Sequence, residues 1–250
     1  MKLYKYRDFS EPTEGDFQRL TELLSRQAFW CARPATLNDP DELRWKCDCA
    51  TSDNTIPLLA KLLVQHRKYQ PAEARAMAVT FVSAGRLPEV ARPIFEGMIE
   101  RCRNEIGLAC FGSSDDNPVM WQRYGGAGSG ICIEVTVTSN LIGAQLFPVE
   151  YLPTRTLHID QLLRASMNPA DRTHRQLVYS MALLSKSPDW ASEVEIRFVS
   201  RRQCVFVRID ESRMSRVILG PRLGADTRRR IEEIVGSLSY DLPMCTATDR

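Results

Sequence analysis

Long apolar runs are missing from this chain of 250 residues. No stretch reaches the roughly 18 consecutive apolar residues of a membrane-spanning helix, so no helical span and no membrane partner is expected. Histidine is scarce. His66, His158 and His174 are far apart and share no metal-ligand spacing, and neither H-E-x-x-H nor G-x-S-x-G occurs. Zinc-hydrolase and α/β-hydrolase readings therefore have nothing to rest on. A phosphate-loop GxxxxGK[ST] is absent as well. Only 13 glycines and 14 prolines are present, which excludes collagen-like and low-complexity chains. An excess of one charge is also lacking. The 33 Lys+Arg against 31 Asp+Glu leave a net charge of +2, whereas a protein dominated by DNA-backbone contacts is usually more basic.

What remains is ordinary for a folded chain: 44% hydrophobic and 26% charged residues, enough to bury a sizeable core in one or two domains. The eight cysteines are scattered, and Met1 to Arg7 reads as a charged aromatic strand rather than a signal peptide. Cytosolic thiols are expected, not a disulfide framework. Cys47-x-Cys49 is the one close pair, and it lacks the second pair and nearby His of a zinc site.

Hydrophobic periodicity lays out the elements. Leu3 to Arg7 alternates and reads as a strand. Phe17, Leu20, Leu23 and Leu24 fall at helical spacing within a helix from about Thr13 to Arg26. Ala28 to Ala32 reads as a short aromatic strand, and Leu37-Asn38-Asp39-Pro40-Asp41 as a turn. From about Thr55 to Glu105 the pattern is helical, broken at Gly85. Gly107 to Phe111, Ile131 to Val137 and Phe147 to Tyr151 read as strands. Val119 to Tyr124 is one or two helical turns, and Gly125 to Gly130 a glycine-rich hinge or tight turn. Ile159 to Leu184 reads as a helix or helix pair broken near Asn168-Pro169. Val194 to Ser200 and Cys204 to Ile209 form an expected hairpin, Arg216 to Leu219 a last strand, and Asp226 to Leu238 a terminal helix with a fraying tail. Strands at the two ends and helices between them predict an α+β fold, taken as a single domain over 1–250 with a helical insertion at about 55–105.

Three features carry possible chemistry. The glycine run fails the dinucleotide fingerprint, because Ile131 stands where the third glycine is needed and a strand, not a helix, follows. In a strand, Glu193, Glu195 and Arg197 would share one face while Val194, Ile196 and Phe198 point to the core. Two carboxylates on one face repel. Either Arg197 neutralises one of them on a solvated surface, or the pair is a site that stabilises a developing cation. Finally, ten arginines between Ile196 and Arg230 oppose only Asp210, Glu211 and Asp226. That bias fits a solvated surface or a platform for phosphate-bearing partners.

Six motifs then occur in a specific order. An opening L-Y-K-Y-R strand leads to N-D-P-D (Asn38 to Asp41). M-W-x-x-Y-x-x-x-G-x-G (Met120, Trp121, Tyr124, Gly128, Gly130) runs into a strand ending Ile133-Glu134-Val135. V-x-Y (Val149, Tyr151) precedes K-x-x-x-W-x-x-E-x-E-x-R (Lys186, Trp190, Glu193, Glu195, Arg197), and V-I-L-G (Val217 to Gly220) closes the series. Over about Leu3 to Leu238 the chain resembles the bacterial domain-of-unknown-function 2971 family. Family members often carry a His after the W-x-x-Y motif, where this chain has Ala127, Gly128 and Ser129.

That layout is similar to the ADP-ribosyltransferase superfamily, with its split β-sheet core. The resemblance implies NAD as substrate, no metal, and cleavage of the nicotinamide–ribose bond through an oxocarbenium-like state, as in glycoside hydrolysis. It implies Glu195 in the catalytic position, with Glu193 as the first member of Glu-x-Glu. Lys5 or Arg7 would hold the pyrophosphate, Trp121 or Tyr124 would stack on nicotinamide, and Asn38 joins them as a cofactor-binding residue. The implied activity is a cytoplasmic mono-ADP-ribosyltransferase that modifies a macromolecule, protein or nucleic acid, as a toxin or antiphage effector. Two alternatives stand beside it: a non-catalytic nucleic-acid or protein-binding module on the same fold, and a scaffold that has lost its chemistry.

Overall fold

In the computed structural model, which describes residues 1–142, 145–167 and 179–247, strands and helices segregate along the chain as an α+β protein. In chain order the first half comprises β1 (Lys2–Arg7), α1 (Glu14–Arg26), β2 (Phe29–Cys31), β3 (Lys46–Asp48), α2 (Thr55–Arg67), α3 (Pro71–Ser83), α4 (Leu87–Glu105), β4 (Gly107–Phe111) and α5 (Pro118–Tyr124). The second half comprises β5 (Ile131–Val137), β6 (Leu146–Pro148), β7 (Glu150–Tyr151), β8 (Thr156–His158), α6 (Ile159–Met167), β9 (Ser185–Lys186), β10 (Ile196–Ser200), β11 (Val205–Val207), β12 (Ser212–Leu219), α7 (Ala225–Gly236) and β13 (Met244–Thr246). None of the described helices is long and apolar enough to cross a membrane. His174, and the break expected near Asn168-Pro169, lie outside the described residues.

These elements fall into two compact units. The first takes in Met1–Arg33, Ile106–Val149 and Pro188–Arg250. Its four-stranded sheet has the order β1-β5-β12-β13, and a three-stranded sheet has the order β4-β10-β6. Among the described residues one backbone bridge joins the two sheets, where Tyr4 and Gly112 exchange hydrogen bonds of 3.0 and 2.8 Å. Period-2 alternation explains the packing. Ile131, Ile133, Val135 and Val137 of β5 face the main core with Phe17, Leu20, Leu23 and Leu24 of α1 and Ile231 and Val235 of α7. Cys132 faces the other way, against Tyr4, Tyr6, Met120 and Ile218. α1 starts where the Asp16 carboxylate accepts hydrogen bonds from the Thr13 backbone N–H (2.9 Å) and hydroxyl (2.6 Å), an arrangement that satisfies otherwise orphaned polar groups at the helix start.

The second unit takes in Pro34–Glu105 and Glu150–Ser187. The helical stretch resolves into α2, α3 and α4, packed with α6 around Leu59, Leu62, Leu63, Ala74, Ala78, Leu162 and Leu163. Thus the helices are not a bare insertion: they share a core with a later segment. At its base the Asp160 carboxylate accepts from the hydroxyls of Ser52 (2.5 Å) and Thr55 (2.7 Å), tying α6 to the first turn of α2.

Several sequence expectations need correction. β10 and β11 are not a hairpin. β10 lies between β4 and β6, while β11 pairs with β2. The expected strand Phe147 to Tyr151 divides, because β6 pairs with β10 and β7 pairs in parallel with β9. The last strand is longer than Arg216 to Leu219, and the tail does not simply fray: β13 adds a parallel strand to β12. The glycine run is a tight turn. Gly220 N–H donates to Gly130 O and Arg222 N–H to Gly128 O, each at 2.9 Å. A Cβ on Gly130 would lie 2.1 Å from the Arg7 carbonyl, so the close approach demands glycine there.

Candidate functional site

The strand expected from Val194 to Ser200 starts late. Pro188–Glu193 is a short 3-10 turn, Val194 has φ of 45°, and β10 begins only at Ile196. A left-handed conformation is uncommon for a β-branched residue and costs about 1–3 kcal/mol. The kink corrects the alternation: Val194 is exposed, not in the core. The charged face is buried instead, with Glu193 at 1%, Glu195 at 4% and Arg197 at 0% exposure. The solvated-face reading of this motif therefore fails.

The two carboxylates have different partners. Glu195 Oε1 accepts from Arg197 Nε at 2.8 Å, and its other oxygen lies 3.5 Å from Arg197 Nη2. Lys5 lies close enough to feel the Glu195 charge, with its Nζ donating to the Cys110 carbonyl at 2.9 Å. Burial pulls the Lys5 ammonium below the usual lysine range, partly offset by Cys110 and Glu195. The Cys110 thiol is pushed up to about 12, mainly by burial and then by Glu195. Glu195 thus belongs to a closed cationic nest.

Glu193 is met by α5. Its Oε1 accepts from the Tyr124 hydroxyl at 2.8 Å and from Arg123 Nη1 at 3.1 Å. The Arg123 side chain is 38% exposed, so this cation reaches from solvent onto a buried carboxylate. Its guanidinium lies 4.7 Å from the Trp190 ring centroid. Asn117 fixes the assembly. Its side-chain oxygen caps α5 by accepting from Val119 and Met120 N–H, and its Nδ2 donates to Ser192 O at 2.7 Å. The Arg123–Glu193 contact is therefore set by a capped helix and the 3-10 turn it is tied to.

The remaining residues singled out from the sequence scatter. Trp121 Nε1 donates to Asp115 O at 2.7 Å, and its ring meets Tyr6 edge-on at 5.2 Å. Arg7 enters no ion pair among the described residues. Its nearby charges are Arg19 and Asp16 of α1, and burial lowers its pKa. Asn38 is exposed in the second unit, in a turn closed by Asp41 N–H donating to Asp39 Oδ1 at 2.9 Å. Lys186 is buried in β9 of that unit. Arg123 escaped the sequence reading, although its place between Trp121 and Tyr124 on one short helix was a usable signal.

Comparison with protein-family models, curated proteins and solved structures found no match.

Proposed function

We propose that this chain is an NAD-cleaving, ADP-ribosyltransferase-like enzyme acting on a macromolecular acceptor, with Glu193 and Glu195 as its paired carboxylates. One observation carries the reading: a planar cation, Arg123, rests on the face of Trp190 and caps the buried Glu193 carboxylate. The nicotinamide ring of NAD is also planar and cationic. Swinging the exposed arginine outward leaves an indole face and an anion that suit it. The strained Val194 between the two glutamates adds support, since such strain clusters where function requires it. So does a pair of sheets bridged by backbone hydrogen bonds at Tyr4 and Gly112.

In this reading the bond between ribose C1′ and the ring nitrogen breaks, and its electron pair goes to nicotinamide. The positive charge moves from the ring to the ribose. Glu193 stabilises that charge, taking the role the resemblance gave to Glu195. Glu195 is neutralised by Arg197 and holds the strand that carries Glu193 in place. Water or an acceptor nucleophile then attacks C1′ and loses a proton. Tyr124 orients Glu193 through its hydroxyl.

Ligand binding tests this directly. ADP-ribose lacks the cationic ring, so NAD is expected to bind about 3- to 30-fold more tightly, the range of a cation–π contact. Trp190→Leu should abolish the difference. Equal binding of the two ligands, or no NAD binding at millimolar concentration, overturns the proposal.

A further inference from the structure

The first unit presents a second set of residues, built where β2 pairs with β11. Trp30 stands opposite Phe206 in the register, and the two rings meet edge-on at 5.4 Å. Trp30 is 45% exposed, and Phe206 is half-buried against the main core. Trp30 thus keeps nearly half of a large aromatic surface open at the middle of β2.

The charges on the two segments that carry it have one sign. Residues 27–33 and 201–209 contain no Asp or Glu. Arg201, Arg202 and Arg208 are exposed, and none enters an ion pair among the described residues. Other arginines of the basic C-terminal third are already engaged: Arg197 by Glu195, Arg216 by Glu134 and Asp115, Arg229 by Asp226, Arg230 by Glu14. The arginines that stay free of acidic partners include these three flanking β11. Their backbone is held: Arg202 N–H donates to Ser200 Oγ at 3.0 Å, and Cys204 N–H donates to Cys31 O at 2.7 Å, which closes the loop onto β2.

We propose that the Trp30–Phe206 face, with Arg201, Arg202 and Arg208, binds single-stranded nucleic acid. An exposed ring stacks an unpaired base, and flanking guanidiniums track the phosphates. Base pairing hides base faces in a duplex, so single strands are favoured. An acidic protein would satisfy the arginines and leave the indole without a stacking partner. The proposal uses none of the residues around Glu193 and holds whether or not NAD is cleaved.

The test is fluorescence anisotropy of the full chain with labelled 12-nucleotide dT and rU strands. Three phosphate contacts give a slope of about −2 in log affinity against log salt. Trp30→Ala should weaken binding roughly tenfold or more, and the triple variant R201A/R202A/R208A should flatten the slope. Both alter exposed side chains, and an unchanged melting temperature checks the fold. Should W30A fail to fold, the arginine variant carries the test. Absence of binding, equal affinity for a duplex, an unchanged slope in the triple variant, or competition by polyglutamate as effective as by unlabelled dT overturns the proposal.

Discussion

Replacing Arg197 with Met removes a guanidinium that no water reaches and leaves the Glu195 carboxylate, 4% exposed, beside an apolar chain. The two groups are 2.8 Å apart, and the strand carrying them is hydrogen-bonded on both edges, to β4 and β6. The site therefore has little room to open. Breaking a buried ion pair from one side costs about 3–5 kcal/mol, because the stranded charge has lost water and partner alike. Nearby Lys5 offsets part of the loss, which places R197M toward the lower end. For a chain of this size that is a fall in melting temperature of roughly 6–15 °C. The assay is urea unfolding followed by circular dichroism, with the double variant E195Q/R197M closing a cycle. The double variant should recover about 1 kcal/mol or more, since neither partner is then stranded. A loss below about 1 kcal/mol for R197M, or a double variant no better than the single, refutes the reasoning that this pair is a desolvated, mutually dependent unit.

Gly130→Ala should destabilise by about 1–3 kcal/mol, since its Cβ would collide with the Arg7 and Gly125 carbonyls; an unchanged urea midpoint would contradict the tight-turn account. Asn117→Ala deletes the α5 cap and the tie to Ser192, costing about 1 kcal/mol, and amide exchange over Pro188–Glu193 should quicken. A change confined to α5 would argue against the tie. At alkaline pH, stability should fall. Burial raises the folded-state pKa of Cys31 to about 11 and of Cys102 to about 12, from 9.0. Their contribution is whole below the unfolded value and is lost as pH rises through the folded one. Lys5 works in the opposite sense, but the raised thiols outnumber it, and a higher urea midpoint at pH 10.5 than at pH 8.5 would contradict this balance.

Elements governed by local periodicity were legible before the structure. The apolar spacing of Phe17, Leu20, Leu23 and Leu24 specifies α1, and the alternation of Ile131 to Val137 specifies β5. The three central helices follow from their stripes and breaks. Pairing was not legible, because alternation states which residues share a face and not which strand lies alongside. That is why the expected β10–β11 hairpin was wrong. Alternation also cannot say whether a shared face is wet. Glu193, Glu195 and Arg197 resemble a solvated surface in sequence, yet β4 and β6 flank β10, and α5 brings Arg123 and Tyr124 onto Glu193. The left-handed Val194 leaves no compositional trace, since a valine there runs against its own propensity. The arginine bias was visible, but its meaning depended on which guanidiniums find carboxylates, and those partners come from distant segments such as Glu14, Asp115 and Glu134.

The central claim is that Glu193 stabilises the charge released when NAD loses nicotinamide. Its most direct test is nicotinamide release, measured by chromatography, from NAD incubated with the parent chain and with Glu193→Gln, in an extract supplying protein and RNA acceptors. The substitution removes charge at nearly constant volume, and Arg123 left behind is free to turn to solvent, so the fold should hold. The account predicts release by the parent and a loss of about 10²–10³-fold in the variant. Release above the extract's own background that persists undiminished in a folded E193Q protein, or a parent no faster than the extract alone, would contradict it.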